Sequence, residues 1–321
     1  MSSVPVFAAR DVEAAVSPER AVEVVRDGFV EYARGEWSMP SKVYVYAYPA
    51  GDFRAMPALG GGYALLKWVT SFPGNPELGL PTVAGLVLLS DATNGMPVAV
   101  LDAGAVTALR TGAAAVLAAE TLGRDDAETA AVIGAGVNGT AAARTFVARG
   151  RQVSIWDVEL DRAEAAAVEL GAEVARSRDA ALASDLVVTV TPGHELLYDA
   201  GSLRAGQHVS LMGADGPGKA EIAVQELARV RAFCDDWEQA SHAGDLVHAV
   251  EAGAISRDDV TQLGDVLSGT ALGREAPDDI TVFDSTGLAI QDLAIGIEVV
   301  KRFGPAADED RFYGVQHIEI G

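Results

Sequence analysis

Apolar positions along the first third of the chain change from a helical period to a strand period. Residues 9–35 carry apolar side chains at helical spacing, and Ser17 followed by Pro18 is typical of a helix start, so two packed helices are predicted. Residues 103–122 predict one alanine-rich helix. Between these helices, apolar runs broken by Pro and Gly predict strands that reverse direction. The runs are KVYVYAY, GGYALLKWVTSF, TVAGLVLLSDA and MPVAVLDA.

The middle of the chain alternates short apolar runs with helical segments. The run at 130–133 is followed by a glycine-rich turn, a helix and a second run that ends at Asp157. Further strands are predicted near 172–175, at 185–190, and in QHVSLMGA and VRAFCDD. This alternation is typical of an α/β fold with a Rossmann-type doubly wound parallel sheet.

A final helix at 288–303 would return the chain to its first domain, which 305–321 would rejoin. We therefore expect 114–290 to form the Rossmann-type domain. It would be inserted into a smaller α+β domain made of 1–113 and 291–321. A chain of 321 residues is long enough for two hydrophobic cores.

The glycine-rich turn indicates dinucleotide binding. Gly134 would permit a tight turn, Gly136 would let the backbone approach a pyrophosphate, and Gly139 would let the helix pack closely. The amides and partial positive charge of the helix start would hold the diphosphate. Asp157, 21 residues after Gly136, can accept hydrogen bonds from ribose hydroxyls and would repel a 2′-phosphate, so NAD is expected rather than NADP. Arg162 is near in sequence and could weaken that preference.

Composition narrows the classes of function. A net charge of −22 argues against direct nucleic-acid binding, because phosphate contacts need clustered Lys and Arg. The long apolar stretches are broken by charges or glycines, and the first residues lack the pattern of a secretory signal. The single cysteine, Cys234, can form no internal disulfide. A cytoplasmic protein without membrane spans is expected.

Lysine is scarce in this chain. Only Lys42, Lys67, Lys219 and Lys301 occur, among 24 basic residues against 46 acidic ones. An acid-rich, lysine-poor surface suggests a halophilic protein, because salt screens its self-repulsion. GC-rich codon bias is the alternative, since it also favours Ala, Gly and Arg. Each lysine is therefore a candidate for a specific role.

Four charged residues stand in otherwise apolar stretches: Arg54, Lys67, Arg110 and Asp215. Burying the ammonium of Lys67 without a partner would be strongly unfavourable. Two arginines and a lysine suit a pocket for a small carboxylate, and Asp215 at a strand end could handle protons. Alternatively, the arginines could be ordinary ion-pair partners, Lys67 could protect an edge strand and Asp215 could cap a turn. The first interpretation predicts a hydride-transfer site for an amino or oxo acid.

No metal site is predicted. His242 and His248 are six residues apart, a spacing that does not place two ligands on one helical face, and Cys234 has no cysteine partner. Asp235 and Asp236 could pass for a catalytic carboxylate pair. In so acidic a chain we expect them to be solvated instead.

Several motifs follow one another along nearly the whole chain: RAMPA, LLKWVTSFPGNP, TALRTGAAA, GAGVNG, MGADGPGKAEI and VFDSTGLAIQDL. In this order and spacing they resemble the ornithine cyclodeaminase and mu-crystallin family. The resemblance implies an NAD(P)-dependent enzyme for an amino or imino acid, usually a homodimer whose first domains pair. Residues 1–113 and 291–321 would then bind substrate and dimerise, and 114–290 would bind NAD.

The resemblance also implies roles for individual positions. Lys67 is similar to the lysine that binds substrate and relays protons, and Asp215 to the acid that contacts the reacting amine or water. Thr286 would lie beside the substrate. The positions similar to cofactor contacts are Thr82, Arg110, Gly134, Gly136, Val137, Asn138, Gly139, Asp157, Thr191, Met212, Gly213, Ala214, Asp215, Lys219 and Ser285.

One position distinguishes substrates within the family. Ornithine cyclodeaminases resemble one another in a glutamate two residues before Met-Pro, which suits the side-chain ammonium of ornithine. This chain has Arg54 there, before Met56 and Pro57, and an arginine attracts a carboxylate instead. In this it resembles the archaeal alanine dehydrogenase branch, which implies NAD-dependent conversion of L-alanine to pyruvate and ammonia. An ornithine cyclodeaminase, a ketimine reductase and a non-catalytic NAD(P)-binding protein like mu-crystallin are the alternatives.

Overall fold

The computed structural model of the chain describes residues 2–303, except 194, 215 and 217, and also residues 316–320. The predicted catalytic Asp215 therefore lies outside the described residues, as does most of the predicted return segment. Every other predicted site residue is described.

The chain divides into two compact units. One unit consists of Met1–Arg110 and Leu288–Gly321, and the other of Thr111–Gly287. The second unit is therefore inserted in the sequence of the first. It contains a parallel sheet, whereas the first contains a largely antiparallel sheet, so the predicted α/β fold class is confirmed.

The first unit is built on a seven-stranded sheet in which only one pair of neighbours, β1 and β6, is parallel. Its strands are β1 (Ser2–Phe7), β2 (Val43–Ala47), β3 (Gly51–Gly60), β4 (Tyr63–Ser71), β5 (Val83–Asp91), β6 (Pro97–Asp102) and β15 (Gln316–Ile320). Their order across the sheet is β15-β1-β6-β5-β4-β3-β2, which places β4 in the interior and β2 at an edge. Its helices are α1 (Ala9–Ala15), α2 (Pro18–Ala33) and α11 (Ala289–Phe303). Helix α11 packs on β3 to β6 and α2 packs on α11, so one face of the sheet is covered.

The two predicted N-terminal helices are confirmed, with α2 starting where the sequence indicates. The Ser17 hydroxyl accepts a hydrogen bond from the amide of Arg20 at 3.3 Å, and Pro18 occupies the first helical position. The sequence pattern does not predict β1 or β3. Strand β3 contains Asp52, Arg54 and Pro57, which interrupt its apolar period, and it is held by antiparallel pairing with β2 and β4.

The second unit is built on an eight-stranded sheet in which every pair of neighbours is parallel. Its strands are β7 (Ala130–Ile133), β8 (Val153–Trp156), β9 (Glu173–Val174), β10 (Leu186–Thr189), β11 (His208–Leu211), β12 (Arg231–Cys234), β13 (Val260–Gln262) and β14 (Thr281–Asp284). Their order is β13-β12-β14-β11-β10-β7-β8-β9, so the winding reverses between β7 and β10. Ligands of doubly wound sheets bind at the carboxyl edge beside such a reversal.

Helices cover both faces of the parallel sheet. They are α3 (Ala103–Leu122), α4 (Val137–Ala148), α5 (Leu160–Leu170), α6 (Arg178–Leu182), α7 (Val224–Leu227), α8 (Trp237–Ala243), α9 (Leu246–Glu251) and α10 (Leu263–Ser268). Alternate residues of each strand enter two separate cores: Ala130 and Val132 pack with α3, α4 and α5, while Ala131 and Ile133 pack with α6, α8 and α9. The sequence pattern does not predict β13 or β14, although β14 is as long as β7.

The sequence predicts no stretch that could span a membrane, but helix α3 is long and apolar enough to do so by length and composition alone. However, 78% of its most apolar stretch is buried inside the protein, as in a core helix.

Candidate functional site

Lys67 is buried in the middle of the antiparallel sheet. Alternation along β4 directs Leu65, Lys67 and Val69 to the face covered by α11, and the lysine is only 1% exposed. Its neighbours across the sheet are Met56 on β3 and Val87 on β5, which are both apolar and buried. Since β4 has strands on both sides, the edge-strand explanation for Lys67 is excluded.

The counter-charge of Lys67 comes from the far end of the chain. The Lys67 ammonium donates a hydrogen bond to Oδ1 of Asp292 at 2.8 Å, and Asp292 is fully buried in the first turn of α11. Nε of Arg110 lies 3.3 Å from the same oxygen, in an ion pair whose N–H does not have hydrogen-bond geometry. Nη1 of Arg110 donates to Oε1 of Gln291, also at 3.3 Å. Asp292 therefore joins two of the predicted cations.

Arg54 lies on the same face of the sheet. It stands two residues before Met56, the cross-strand neighbour of Lys67. Its guanidinium donates to both oxygens of Asp52, at 2.6 and 3.3 Å, and lies 5.4 Å from the ring centroid of Tyr44. The structure thus brings the three predicted cations, Arg54, Lys67 and Arg110, to one face of one sheet.

The cluster combines cations with carboxylates. Arg54 pairs with Asp52, and Lys67 and Arg110 share Asp292. The pKa of the Lys67 ammonium is lowered from 10.5 to about 8, because burial, Arg110 and Arg54 together outweigh the opposing effect of Asp292. A site where three cationic side chains lie together suits a small carboxylate.

The glycine-rich turn follows β7 in the second unit. Gly134 has a φ of +100°, and a Cβ there would lie 2.5 Å from the carbonyl oxygen of Val190. A Cβ on Gly139 would lie 1.7 Å from the carbonyl oxygen of Gly134, so the helix start can sit this close only with glycine. At Gly136, by contrast, a Cβ would meet nothing within 4 Å. The open space lies at the position where a diphosphate would approach the first amides of α4.

Asp157 follows the end of β8 and is tied to this turn. Its Oδ2 accepts a hydrogen bond from the amide of Ala135 at 2.6 Å, and its Oδ1 accepts one from the amide of Glu159 at 2.8 Å. A carboxylate can accept about four hydrogen bonds, so Asp157 can still receive ribose hydroxyls.

Glu221 organises the neighbouring strand ends, although it is not among the predicted site residues. It is fully buried. One carboxylate oxygen accepts bonds from the amide and hydroxyl of Thr191 at 2.9 and 2.5 Å. The other accepts bonds from the hydroxyl of Thr189 at 2.6 Å and the amide of Gly213 at 3.1 Å. Two predicted cofactor positions, Thr191 and Gly213, are therefore held by one side chain.

The remaining predicted positions of the second unit also follow strand ends. Val137 is exposed and Asn138 is half-buried at the start of α4. Met212, Gly213 and Ala214 follow β11, and Lys219 precedes Glu221 by two residues. Ser285 and Thr286 follow β14 and are buried. Because all strands are parallel, these positions share the carboxyl edge of the sheet with Gly134, Gly136, Asp157 and Thr191.

Thr82 is the one predicted cofactor position, besides Arg110, that belongs to the first unit. It lies directly before β5, and its carbonyl accepts a hydrogen bond from the amide of Phe72 at 2.8 Å. No group of three or more His, Cys, Asp or Glu residues able to hold a metal ion occurs among the described residues.

The expectation that Asp235 and Asp236 are solvated is wrong. Asp235 is 2% exposed and Asp236 6%, because they follow β12 in the interior of the sheet. Asp235 accepts hydrogen bonds from the Ser285 hydroxyl at 2.9 Å and the Gly287 amide at 2.8 Å. Asp236 caps α8 through the amide of Gln239 at 3.1 Å. Hydrogen bonds to neighbouring hydroxyl and amide groups therefore compensate for the burial of both acids.

Asp284 and Asp245 extend this group of buried acids. Both are at most 1% exposed, and each has one oxygen without a hydrogen-bond partner among the described residues. The pKa of Asp284 is raised from 3.8 to about 8, because burial and the nearby acids outweigh the opposing hydrogen bond from the Leu246 amide. Burial likewise raises the pKa of Asp245 well above its ordinary value. The neutral form of each carboxyl is therefore more favoured than in an exposed aspartate.

Comparison with known proteins agrees with this architecture. The ornithine cyclodeaminase/mu-crystallin family model matches residues 4–303. The chain belongs to this family. The resemblance of its motifs to the ornithine cyclodeaminase/mu-crystallin family is thus confirmed.

Individual relatives in the family differ in the activity they are named for. Alanine dehydrogenase of Archaeoglobus fulgidus is 41% identical over 300 residues, which are 89% of this chain and 90% of that protein. An archaeal alanine dehydrogenase dimer with bound NAD has a TM-score of 0.92 and 36% identity, with 100% of both chains covered. Thermococcus litoralis Delta(1)-pyrroline-2-carboxylate reductase, in complex with NADH and L-proline, has a TM-score of 0.89 and 25% identity, with 99% of this chain and 100% of that chain covered.

The buried acids predict a pH-dependent stability with a defined sign. The raised pKa of Asp284 means that the folded protein keeps a proton that the unfolded chain loses near pH 4, so stability should fall as pH rises from about 4 to 8. Asp284→Asn cannot ionise. The Tm of Asp284→Asn minus the Tm of the wild type should therefore be higher at pH 8 than at pH 5 by more than about 3 °C. Scanning calorimetry measures both values. Asp258→Asn, at an exposed position, is the control. An equal Tm difference for Asp284→Asn at both pH values would contradict the prediction.

Proposed function

We propose that this chain is an NAD-dependent oxidoreductase that acts on the CH–NH2 group of a small amino acid, with L-alanine and pyruvate as the favoured pair. The observation that carries the proposal is the cluster of Arg54, Lys67 and Arg110, three cationic side chains gathered at one face of one sheet. Such a cluster favours a carboxylate and disfavours a second ammonium on the substrate. Similarity to archaeal alanine dehydrogenases over most of the chain supports the same substrate class.

The glycine-rich turn and the carboxyl edge of the parallel sheet would hold NAD. The first-turn amides of α4 and the open space at Gly136 suit its diphosphate, and Asp157 suits its adenosine ribose. The charge of Asp157 favours NAD over NADP. When bound, the nicotinamide supplies the hydride chemistry of the reaction.

The residues of the chain supply binding, orientation and proton transfer. Arg54 would hold the substrate carboxylate, and Lys67 would donate a hydrogen bond to the α-oxygen of pyruvate. In the oxidative direction Asp215, with Lys67, would take a proton from the water that adds to the iminium carbon, and ammonia would then leave. Thr286 is the further predicted substrate contact.

A cyclic imino acid is the second candidate substrate. It also carries a carboxylate that the cationic cluster could bind, and relatives about as long as this chain are named Delta(1)-pyrroline-2-carboxylate reductase. An ornithine cyclodeaminase activity is less favoured, because Arg54 would repel the second ammonium of ornithine. A non-catalytic NAD(P)-binding role is disfavoured because all three cations are present.

NADH oxidation should be fastest with pyruvate and ammonium in a panel of 2-oxo acids, assayed in molar salt. We expect the rate with Δ1-pyrroline-2-carboxylate to be at least roughly tenfold lower, because that ring adds bulk to the same pocket. A faster rate with the cyclic imine would favour the reductase activity. Tight NADH binding without oxidation by any member of the panel would favour the non-catalytic role.

Lys67→Ala should abolish turnover while leaving the affinity for NADH nearly unchanged. Loss of a substrate-binding and proton-relay group should lower kcat at least about 100-fold. The NADH affinity, measured by fluorescence titration, should stay within about threefold of the wild type, because the proposed cofactor contacts do not include Lys67. Lys301→Ala, at an exposed position of α11, is the matched control. Unchanged turnover in Lys67→Ala would eliminate its proposed role.

The uncovered face of the antiparallel sheet supports a homodimer. Outward positions of β2 to β5 carry no charged side chain, although the chain has a net charge of −22. Their exposed large apolar residues are Val43, Val45, Leu59, Leu66, Trp68 and Leu86. A contiguous apolar face of this kind marks a protein interface, and a second copy of the same face meets no repulsion of like charges.

Leu86→Glu should therefore convert a dimer into a monomer. The leucine is 56% exposed on this face, and its replacement would place two buried carboxylates in the interface. Light scattering coupled to size-exclusion chromatography in molar salt measures the mass. Val168→Glu changes a valine that is 85% exposed on α5 and should keep the wild-type mass. A wild-type monomer, or a dimeric Leu86→Glu protein, would contradict the interface.

A further inference from the structure

The ammonium of Lys67 and the guanidinium of Arg110 meet at one atom, Oδ1 of Asp292. We propose that Asp292 is the positioning residue of this site, which holds Lys67 and Arg110 together as one oriented pair of cations for the substrate. The inference rests on the proposed function only in assuming that a substrate uses this pair. Asp292 itself need not touch the substrate.

The hydrogen bonding of Lys67 supports this role. Within the described part of the chain, the ammonium donates one hydrogen bond, to Asp292. An ammonium has three donors, so this bond fixes the direction of the group and leaves two donors for a ligand. Without Asp292, the long side chain of Lys67 would have to find another orientation among the apolar neighbours Met56 and Val87.

Gln291, the residue before Asp292, ties the first turn of α11 to Arg110. Oε1 of Gln291 accepts a hydrogen bond from the amide of Leu288 at 3.3 Å and another from Nη1 of Arg110 at 3.3 Å. The carboxylate of Asp292 also lies in the first turn, near the positive end of the helix dipole. Helix start, carboxylate and arginine are therefore linked, and the position of Lys67 depends on all of them.

The charges around Lys67 make the effect of Asp292 predictable in sign. Arg54 faces it from β3 together with Asp52, Arg110 faces it from α3, and Asp292 faces it from α11. Asp292 is the carboxylate in direct contact. Burial and both arginines lower the pKa of Lys67, whereas Asp292 raises it. Removing this carboxylate should therefore move the pKa of Lys67 further below about 8.

The scarcity of lysine permits a direct measurement. The chain has four lysines, so protein labelled with 13C at lysine Cε gives few side-chain signals, and Lys67→Arg identifies the signal of Lys67. We expect Asp292→Asn to lower the pKa of Lys67 by at least about one unit in the full-length protein in molar salt. Asp292→Glu keeps the charge but moves the oxygen, so it should retain a pKa near that of the wild type.

Steady-state kinetics then separate position from charge. In both Asp292 variants, KM for pyruvate should rise at least about tenfold, and in Asp292→Asn the loss of activity toward high pH should begin about one unit lower. Glu298→Gln removes a negative charge from the same helix, where Glu298 pairs with Arg20 at 2.9 Å, and should leave the Lys67 titration and KM unchanged.

The outcomes distinguish this inference from the proposed function. A shifted Lys67 titration in a protein that oxidises NADH with no member of the panel would support Asp292 and overturn the proposed function. An active Asp292→Asn protein with the wild-type titration and KM would overturn the role of Asp292 and leave the proposed function standing. Failure of both Asp292 variants to fold in molar salt would make Asp292 a structural residue and would also overturn the inference.

Discussion

The burial of a lysine in the interior of a sheet is the constraint on which the first unit depends. Lys67 points to the face of the sheet that α11 covers and is 1% exposed, so its charge must be compensated inside the protein. Helix α11 meets this requirement by carrying Asp292 in its first turn, over the same face of the sheet. Helix α11 therefore contributes to the candidate site and also covers the core of the first unit.

The two units bury charge in different ways. In the first unit, cations and carboxylates are paired, as with Lys67 and Asp292. In the second unit, Glu226 pairs with Arg229, but other buried acids have partners that carry no charge. Glu221 is satisfied by amides and hydroxyls of neighbouring strand ends, and Asp284 favours its protonated form. The first arrangement creates a charged site for a ligand, whereas the second fixes the loops along the edge of the parallel sheet.

Local patterns in the sequence predict much of this molecule. Period and glycine spacing indicate the parallel sheet and the turn at Gly134, and isolated charges in apolar stretches indicate Arg54, Lys67 and Arg110. The partner of Lys67 could not be predicted in this way, because Asp292 is 225 residues away and only the folded chain joins them. Its one local signal is an acid within the apolar helix AIQDLAIGI. Composition misleads at Asp235, because an acidic chain can still end an interior strand with an acid.

The uncharged outer face of β2 to β5 has a consequence for how this acidic chain responds to its solvent. Dissolved ions weaken the mutual repulsion of the carboxylates elsewhere on the surface. Strongly hydrated salts, such as sulfates, also strengthen contacts between apolar surfaces. Both effects act in the same direction. Transfer to dilute buffer would therefore increase the repulsion between surface carboxylates and weaken contacts between apolar surfaces at the same time.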